Sequence, residues 1–179
     1  PISIDTSKAA VARYAISVGV AVVNDVWGLQ KDAAMADTVA EGGAAVVIMH
    51  NRVGVDPDLD ILSDMRRFFD HSLAFADKAG IPRARMILVP GIGFGKTKQQ
   101  KRFVLHRLGY FLDYSLPILV GVSRKSLLGA MVGSEVESRL AATLAANLAA
   151  AAHGASIFRV HDAAAHVAAF KVFDAIERV

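Results

Sequence analysis

The chain has no cysteine among its 179 residues, and this absence removes several kinds of chemistry. Without thiols it can have no disulfide, no thiolate metal site and no cysteine nucleophile. Long apolar stretches are also missing, since the richest region, residues 140–152, is interrupted by Thr143 and Asn147 and falls short of a membrane span. These features fit a cytoplasmic protein and predict no membrane partner.

Aromatic residues make up only 7% of the chain, and the net charge is a small +3, although the isoelectric point is about 9.4. Lysines and arginines are scattered without an aromatic platform between them, which predicts a solvated surface and no nucleic-acid partner. Basic residues at strand ends suit anionic small molecules better. The hydrophobic fraction of 54%, much of it alanine, suits helices packed closely on a sheet in one domain.

Six short apolar runs each end in a polar or glycine-rich cluster. Such runs, separated by helix-length stretches, predict βα units on a parallel sheet whose strand C-termini share one face and carry the site. The runs with their endings are Ile2–Ile4 before Asp5-Thr6, Ala21–Val23 before Asn24-Asp25, Ala45–Ile48 before Met49–Arg52, Met86–Leu88 before Val89–Lys96, Ile118–Val122 before Ser123–Ser126, and Ile157–Phe158 before Arg159–Asp162.

Six units in 179 residues predict an α/β fold of the TIM (β/α)8 barrel type that lacks its first two βα units in this chain, because eight units take roughly 250 residues. The start on Pro1, directly before a strand, favours the same interpretation. We therefore expect one barrel domain over residues 1–179, the C-terminal three-quarters of the whole. A complete doubly wound sheet is the alternative, but no Gly-x-Gly-x-x-Gly follows the first strand.

Capping residues and apolar spacing predict the helices. Thr6 or Ser7 would cap the first helix, residues 60–79 would form a long amphipathic helix, and residues 98–114 would form another. Four histidines fall within predicted helices, where we expect surface or helix-end positions: His71, His106, His153 and His166.

The glycine-rich segment Pro90–Thr97 is the strongest local signal. Its three glycines at alternate positions let the backbone turn sharply and approach a flat or anionic ligand, and Phe94 between two of them could stack on a planar ring. A mobile loop with Phe94 folded onto the core is the alternative. The glycine spacing before Lys96 is too short for a Walker motif.

Two further clusters carry positive charge. Ser126 begins a predicted helix whose first N–H groups would donate to a carboxylate or phosphate, and Lys125 adds a compact cation; a surface Arg-Lys pair is the alternative. Arg159 and His161 alternate at the last strand end, so both should point to one side and suit a diphosphate. A structural role is the alternative for His161.

Polar residues also end the first two strands. Asp5 could accept two N–H donors from an amidine-like edge, and Asn24 offers a donor and an acceptor, although Asp5-Thr6 could simply cap a helix. His50 could lie behind a site or within the core.

Together these motifs, in this order and with this spacing over the whole chain, closely resemble the dihydropteroate synthase family. The resemblance implies a (β/α)8 barrel, a homodimer in the full-length parent, and an enzyme of folate synthesis. Such a transferase joins p-aminobenzoate to 6-hydroxymethyl-7,8-dihydropterin diphosphate and releases pyrophosphate in a magnesium-assisted step.

The resemblance also implies roles for single residues, grouped by ligand. Lys125, Arg159 and His161 would be catalytic, and the last two would hold the diphosphate. The benzoate carboxylate would meet Phe94, Lys125 and Ser126. Pterin contacts would come from Asp5, Asn24, Met49, Phe94, Gly121 and Lys125. No metal ligand is expected in this chain, because the usual Mg²⁺ ligand of the family lies in the missing N-terminal part.

Val89 departs from the family pattern, which places aspartate before Pro-Gly. A valine cannot accept the pterin N–H donors, and a lost charged acceptor costs roughly 1.5–3 kcal/mol. We therefore expect this chain by itself to be inactive or nearly so. Two alternatives remain: a non-catalytic paralogue, which Val89 favours, and a pterin-binding methyltransferase-type domain, which has no diphosphate to expel.

Overall fold

The computed structural model describes residues 1–133, 135–136 and 138–177, and its centre is a parallel sheet. The strands in chain order are β1 (Ser3–Asp5), β2 (Val22–Asp25), β3 (Ala45–Met49), β4 (Met86–Val89), β5 (Leu119–Val120) and β6 (Ile157–Phe158). Strands β1 to β4 form one four-stranded sheet, β5 pairs with β6, and a bridge between Leu88 and Ile118 joins the two parts. Spatial order therefore equals chain order, as in a TIM barrel and unlike a doubly wound sheet.

The sheet curves until its first and last strands face each other. Six strands at the usual spacing would span about 24 Å if they were flat. Instead, Arg159 after β6 lies 3.5 Å from the carboxylate of Asp5 at the end of β1. The predicted barrel architecture is thereby confirmed, and the strand C-termini meet around one opening.

Helices follow the strands and cover the outside of the sheet. They are α1 (Ala9–Ser17), α2 (Met35–Gly42), α3 (Ile61–Ala79), α4 (Lys98–His106), α5 (Ser126–Val132), α6 (Leu140–Ala152) and α7 (Ala163–Glu177), with 3-10 turns at Arg83–Arg85 and Leu108–Tyr114. None of the described helices is both long enough and apolar enough to cross a membrane.

Alternation along the strands separates two apolar layers. Ile48 and Leu88 point outward and pack with the helices in the main core, for example against Phe69. The residues next to them in sequence, Met49 and Val89, point inward. The inner cluster contains Val47, Met49 and Val89, with Val22, Val26, Ile87, Phe94 and Leu119 packed against it.

Two predictions about helices are wrong or incomplete, and a third extends beyond the described residues. Neither Thr6 nor Ser7 caps α1; the first amide, Ala9 N–H, donates instead to Asp32 Oδ2 from the next loop at 2.7 Å. The helix predicted over residues 98–114 is two elements, because α4 ends at His106 and a 3-10 turn with buried Phe111 follows. The sequence predicts a last helix over residues 163–179; the structure confirms it as α7 to Glu177, and the final two residues lie outside the described part.

The predicted positions of the four helical histidines are correct in part. His71 and His106 are exposed, as expected, and His153 terminates α6. His166 is buried, because its Nδ1–H can donate to Asp162 O at 2.8 Å while its Nε2 accepts from Asn147 at 3.0 Å. A predicted surface position for His166 is therefore wrong.

Candidate active site

A carboxylate–amide pair ends the first two strands. Asp5 and Asn24 are register partners of the β1–β2 ladder, and Asn24 Nδ2 donates to Asp5 Oδ1. Arg159 Nη1 reaches the other carboxylate oxygen at 3.5 Å. Asp5 stays exposed whereas Asn24 is buried, so the pair presents acceptor oxygens of Asp5 to the opening.

A cationic cavity of about 420 Å³ lies at the ends of β5 and β6. Its lining consists of Gly121, Ser123, Lys125, Arg159, Val160 and His161. Gly121 lies against the guanidinium, since a Cβ at this position would be in van der Waals contact with Arg159 Nε at 3.4 Å. The structure thus brings Arg159 and His161 to one side, as the alternation predicted, and adds Lys125 beside them.

Ser123 determines how the His161 ring is presented. Its hydroxyl oxygen accepts from the His161 backbone N–H at 3.2 Å and lies 2.8 Å from His161 Nδ1, to which the hydroxyl can donate. In that arrangement the neutral ring carries its proton on Nε2. His161 can then offer an N–H donor to an anion in the cationic cavity. Ser123 is not among the site residues that the sequence pattern predicts.

The turn that carries Ser123 and Lys125 is stabilised by a salt bridge on the side away from the cavity. Arg124 has a positive φ of 56° and makes a bidentate salt bridge with Asp162, in which Nη2 donates to Oδ1 at 2.6 Å and Nε donates to Oδ2 at 3.1 Å. The guanidinium lowers the pKa of the Asp162 carboxyl below its usual range. This pair ties the end of β5 to the end of β6 and directs the alternate side chains, Ser123 and Lys125, into the cavity.

A second cavity, of about 280 Å³, adjoins the first. It is lined by Ile92, Gly93, Phe94, Lys101, Lys125, Ser126, Leu127 and Arg159. Lys125 Nζ donates to Ile92 O and lies 5.4 Å from the centre of the Phe94 ring. Burial, together with the positive charge of Arg159, lowers the pKa of Lys125 to about 8. Lys125 and Arg159 belong to both cavities and form their common wall.

Met49 and Val89 lie in the inner apolar cluster and line neither cavity. They are register partners of β3 and β4, with 1% and 5% of their surface exposed. Phe94 connects this cluster to the second cavity, because it packs on the cluster and also lines that cavity. The Phe94 ring is half-buried. It is therefore neither fully exposed for stacking on a ligand nor fully folded onto the core, the two alternatives for the glycine-rich segment.

Behind the glycine-rich segment lies a buried polar cluster that sequence reasoning did not assemble. Lys96 Nζ lies 2.7 Å from His50 Nδ1, and His50 Nε2 lies 3.1 Å from Asp64 Oδ2 on α3. His50 is entirely buried, so its place is in the core. A lysine after three glycines gives no sequence signal for burial, and only the tertiary structure shows it.

The described residues do not form a magnesium site. Within residues 1–133, 135–136 and 138–177, no three His, Asp or Glu side chains converge closely enough to hold a metal ion. Asp5, which faces the opening, is already paired with Asn24 and Arg159. By themselves, the described residues therefore supply no complete set of protein ligands for Mg²⁺.

Comparisons with known proteins give a consistent result. A sequence model of the pterin binding enzymes matches residues 1–161. The chain is 36% identical to the dihydropteroate synthase of Bacillus subtilis over 176 residues, which is 98% of this chain and 61% of that protein. It is 37% identical to the Escherichia coli K12 enzyme, over 97% of this chain and 64% of that protein. The chain thus spans a little over three fifths of the length of these relatives.

Solved structures agree with the sequence comparison. A Clostridium difficile dihydropteroate synthase, crystallised in the presence of pteroic acid, superimposes with a TM-score of 0.96 at 43% identity, over 100% of this chain and 68% of that one. The Xanthomonas albilineans enzyme with 4-aminobenzoic acid gives a TM-score of 0.94 at 37% identity, over 100% of this chain and 66% of that one.

Proposed function

The chain belongs to the pterin binding enzyme family, and from this premise we propose that the protein is a dihydropteroate synthase. It would condense p-aminobenzoate with 6-hydroxymethyl-7,8-dihydropterin diphosphate and release pyrophosphate, in folate biosynthesis. Relatives under this name have been crystallised with pteroic acid, the oxidised form of such a product, and with 4-aminobenzoic acid, one of the two substrates.

The observation that carries this proposal is the common wall between the two cavities. A condensation needs an electrophile with its leaving group on one side and a nucleophile on the other, close together. The cationic cavity suits the diphosphate, and the cavity beside Phe94 and Ser126 suits an aromatic carboxylate. Because Lys125 and Arg159 line both, the two ligands would meet at the position where the new bond forms.

The proposed reaction requires a stabilised leaving group more than a strong base. The bond between the pterin methylene carbon and the diphosphate oxygen breaks, and its electron pair stays on the oxygen. Arg159 and the Nε2–H of His161 would donate to that oxygen or its neighbours, which stabilises the developing charge. The aniline nitrogen then forms the C–N bond with its lone pair, and its proton leaves with pyrophosphate or water.

The pterin ring would bind over the remaining strand ends. Asp5 would accept from the ring N–H groups, and Asn24 would orient Asp5 as well as contact the ring. Met49 and Gly121 would line the pocket from the β3 and β5 sides, and Phe94 would stack on the ring edge. Ser126, at the start of α5, would receive the carboxylate of the benzoate.

We extend the proposal to the setting of the enzyme. The protein would act in the cytoplasm as a homodimer, with small-molecule substrates and without nucleic-acid or membrane partners. The family resemblance supports the dimer, and the cysteine-free composition fits a reducing compartment. No step of the mechanism is derived through Mg²⁺, since the described residues by themselves supply no complete set of protein ligands for that ion.

Pyrophosphate release tests the proposal directly. The full-length protein is mixed with both substrates, and pyrophosphate and the condensed pteroate product are measured together. We expect equal amounts of the two, and neither when p-aminobenzoate is omitted. Pyrophosphate without a condensed product would indicate hydrolysis, and no turnover with measurable binding of both ligands would contradict the synthase assignment.

Val89 favours a second function, a pterin-binding module that does not catalyse the reaction. Its side chain continues the apolar surface of Met49 and Val47, where the family pattern supplies a carboxylate. The N–H donors of a pterin ring at this edge would have no acceptor beside Val89. Saturable pterin binding without condensation in the full-length protein would establish this second function.

A further inference from the structure

Lys96 is a buried lysine at the end of the glycine loop, which we define as residues 91–95. Only 3% of its surface is exposed. Its ammonium reaches three acceptors: His50 Nδ1 at 2.7 Å, Gly91 O at 3.1 Å and Phe94 O at 3.1 Å. An ammonium has three N–H donors, so all of them have a partner within the protein.

The contacts of Lys96 fix the state of His50. Because Nδ1 accepts from Lys96, the ring proton lies on Nε2 and is donated to Asp64 Oδ2 at 3.1 Å. Burial and the adjacent ammonium lower the pKa of His50 to about 3, so the ring stays neutral. Asp64 in turn pairs with Arg52 at 3.4 Å and Arg67 at 3.2 Å. The glycine loop is thereby connected to α3.

The loop lies directly on the backbone after β3. A Cβ at Gly91 would be 1.9 Å from the carbonyl oxygen of His50, and one at Gly95 would be 2.6 Å from Arg52 Cβ. Both glycines have positive φ, of 63° and 58°. Phe94 N–H donates to Gly91 O, so this carbonyl accepts hydrogen bonds from both the Phe94 amide and the Lys96 ammonium. The tight turn and the lysine thus stabilise the same conformation.

From this geometry we propose that Lys96 is a positioning residue. Its ammonium holds the glycine loop closed, with the Phe94 ring beside Lys125, and the His50–Asp64 pair anchors it to α3. Lys96 lines neither cavity and touches no substrate in this arrangement. Only the effect on substrate binding rests on the proposed function, since the closed loop itself is a property of the ligand-free chain.

The charge state of Lys96 makes the arrangement sensitive to pH. Burial lowers the pKa of Lys96 to about 7, with Asp64 opposing this shift and Arg52, Lys125 and Lys101 reinforcing it. These four residues and neutral His50 are the titratable and charged groups that face it. In an open loop the exposed lysine would titrate near its ordinary pKa of about 10.5, so opening takes up a proton above about pH 7, and the closed loop becomes more stable as pH rises past that value.

Amide hydrogen exchange of the ligand-free protein tests the proposal. We expect Lys96→Met to speed exchange of the Phe94 amide, which donates to Gly91 O, by about tenfold or more, as the loss of a charge-assisted hydrogen bond implies. The matched control is Lys98→Met, an exposed lysine two residues away, which should leave this rate unchanged. Equal exchange in the wild type and Lys96→Met would overturn the proposal.

A pH series adds a readout that a purely packing role would not change. The protection factor of the Phe94 amide should rise in the wild type as pH rises past about 7 and stay flat in Lys96→Met. Protection that is independent of pH in both proteins would also overturn the proposal.

Asp64→Ala keeps the test decisive if Lys96→Met does not fold. Asp64 is only partly buried, and its loss should speed loop exchange about threefold or more by removing the acceptor of His50. Asp77→Ala, on the exposed side of the same helix, is its control. Unchanged loop exchange in Asp64→Ala would contradict the anchoring role.

Steady-state kinetics of the same variants separate this inference from the proposed function. Lys96→Met should raise the KM for p-aminobenzoate more than the KM for the pterin diphosphate, since Phe94 and Ser126 line the cavity beside the loop. If the wild type does not turn over, the proposed function fails and the exchange experiment still decides the role of Lys96. Equal changes in both KM values would contradict the positioning of Phe94.

Discussion

Lys96 and Lys125 flank the same glycine loop, and burial lowers the pKa of both, to about 7 and about 8. They differ in what their ammonium groups contact. Lys96 has three acceptors within the protein, whereas Lys125 donates to Ile92 O and otherwise faces two cavities. A depressed pKa therefore does not identify a catalytic lysine by itself. The donors left for a ligand distinguish Lys125 from Lys96.

The largest effect that this difference predicts is on activity. Lys125→Met should lower kcat/KM by about a hundredfold or more, because it removes a cation from the common wall of both cavities. The free energy of unfolding should be unchanged or slightly higher, since a partly desolvated charge disappears. Lys98→Met serves as the control for kinetics and for urea denaturation. A Lys125→Met protein with wild-type kcat/KM would put Lys125 in the same class as Lys96.

The next effect concerns the cationic cavity. Arg159→Ala and His161→Ala should weaken the diphosphate substrate or pyrophosphate by roughly ten- to a hundredfold, because each removes a charged or polar donor. Binding of an unphosphorylated pterin should change much less. Isothermal titration with both ligands measures the two losses, and equal losses would remove these residues from diphosphate binding.

Val89→Asp should raise pterin affinity by at least tenfold in the full-length protein, since it supplies a carboxylate acceptor at the end of β4, next to Met49. The same change buries a carboxylate in the inner apolar cluster, so the ligand-free protein should lose about 1–3 kcal/mol of stability. Val89→Leu is the control that keeps the site apolar. Pterin binding that is equal or weaker in Val89→Asp would show that residue 89 does not face the ring.

The sequence predicted the strand ends well and the connections between them poorly. Asp5, Asn24, Arg159 and His161 follow β-rich runs, and a parallel barrel brings such positions together whatever the loops do. The burial of Lys96 has no local signal, because it depends on His50, 46 residues away, and on Asp64 on a helix. The cap of α1 comes from Asp32 for the same reason. Local patterns report local structure, and partners distant in sequence are invisible to them.

Lys96 should also change how stability depends on pH. Its pKa is about 7 when folded and near 10.5 when unfolded, so between these values the unfolded chain binds more protons. Stability therefore rises with pH across this range, by at most about 1.4 kcal/mol per pH unit from this one group. Urea denaturation from pH 6 to pH 10 should show a smaller rise in Lys96→Met than in the wild type. Identical slopes would mean that Lys96 is charged in neither state or in both.

The smallest predicted effect is that of Ser123, which contacts His161 only through hydrogen bonds. Ser123→Ala removes the donor to Nδ1 and the acceptor of the His161 backbone N–H, so the Nε2–H tautomer loses its advantage. Nitrogen-15 NMR of the imidazole should show Nδ1 as the unprotonated nitrogen in the wild type and a mixture in Ser123→Ala. Pyrophosphate affinity should fall only a few-fold, as expected for one neutral hydrogen bond. Ser123→Thr retains the hydroxyl and should restore both the tautomer and the affinity. If the imidazole spectrum of Ser123→Ala equals that of the wild type, a group other than Ser123 determines the tautomer of His161. Ser123 would then not control which nitrogen of His161 donates into the cationic cavity.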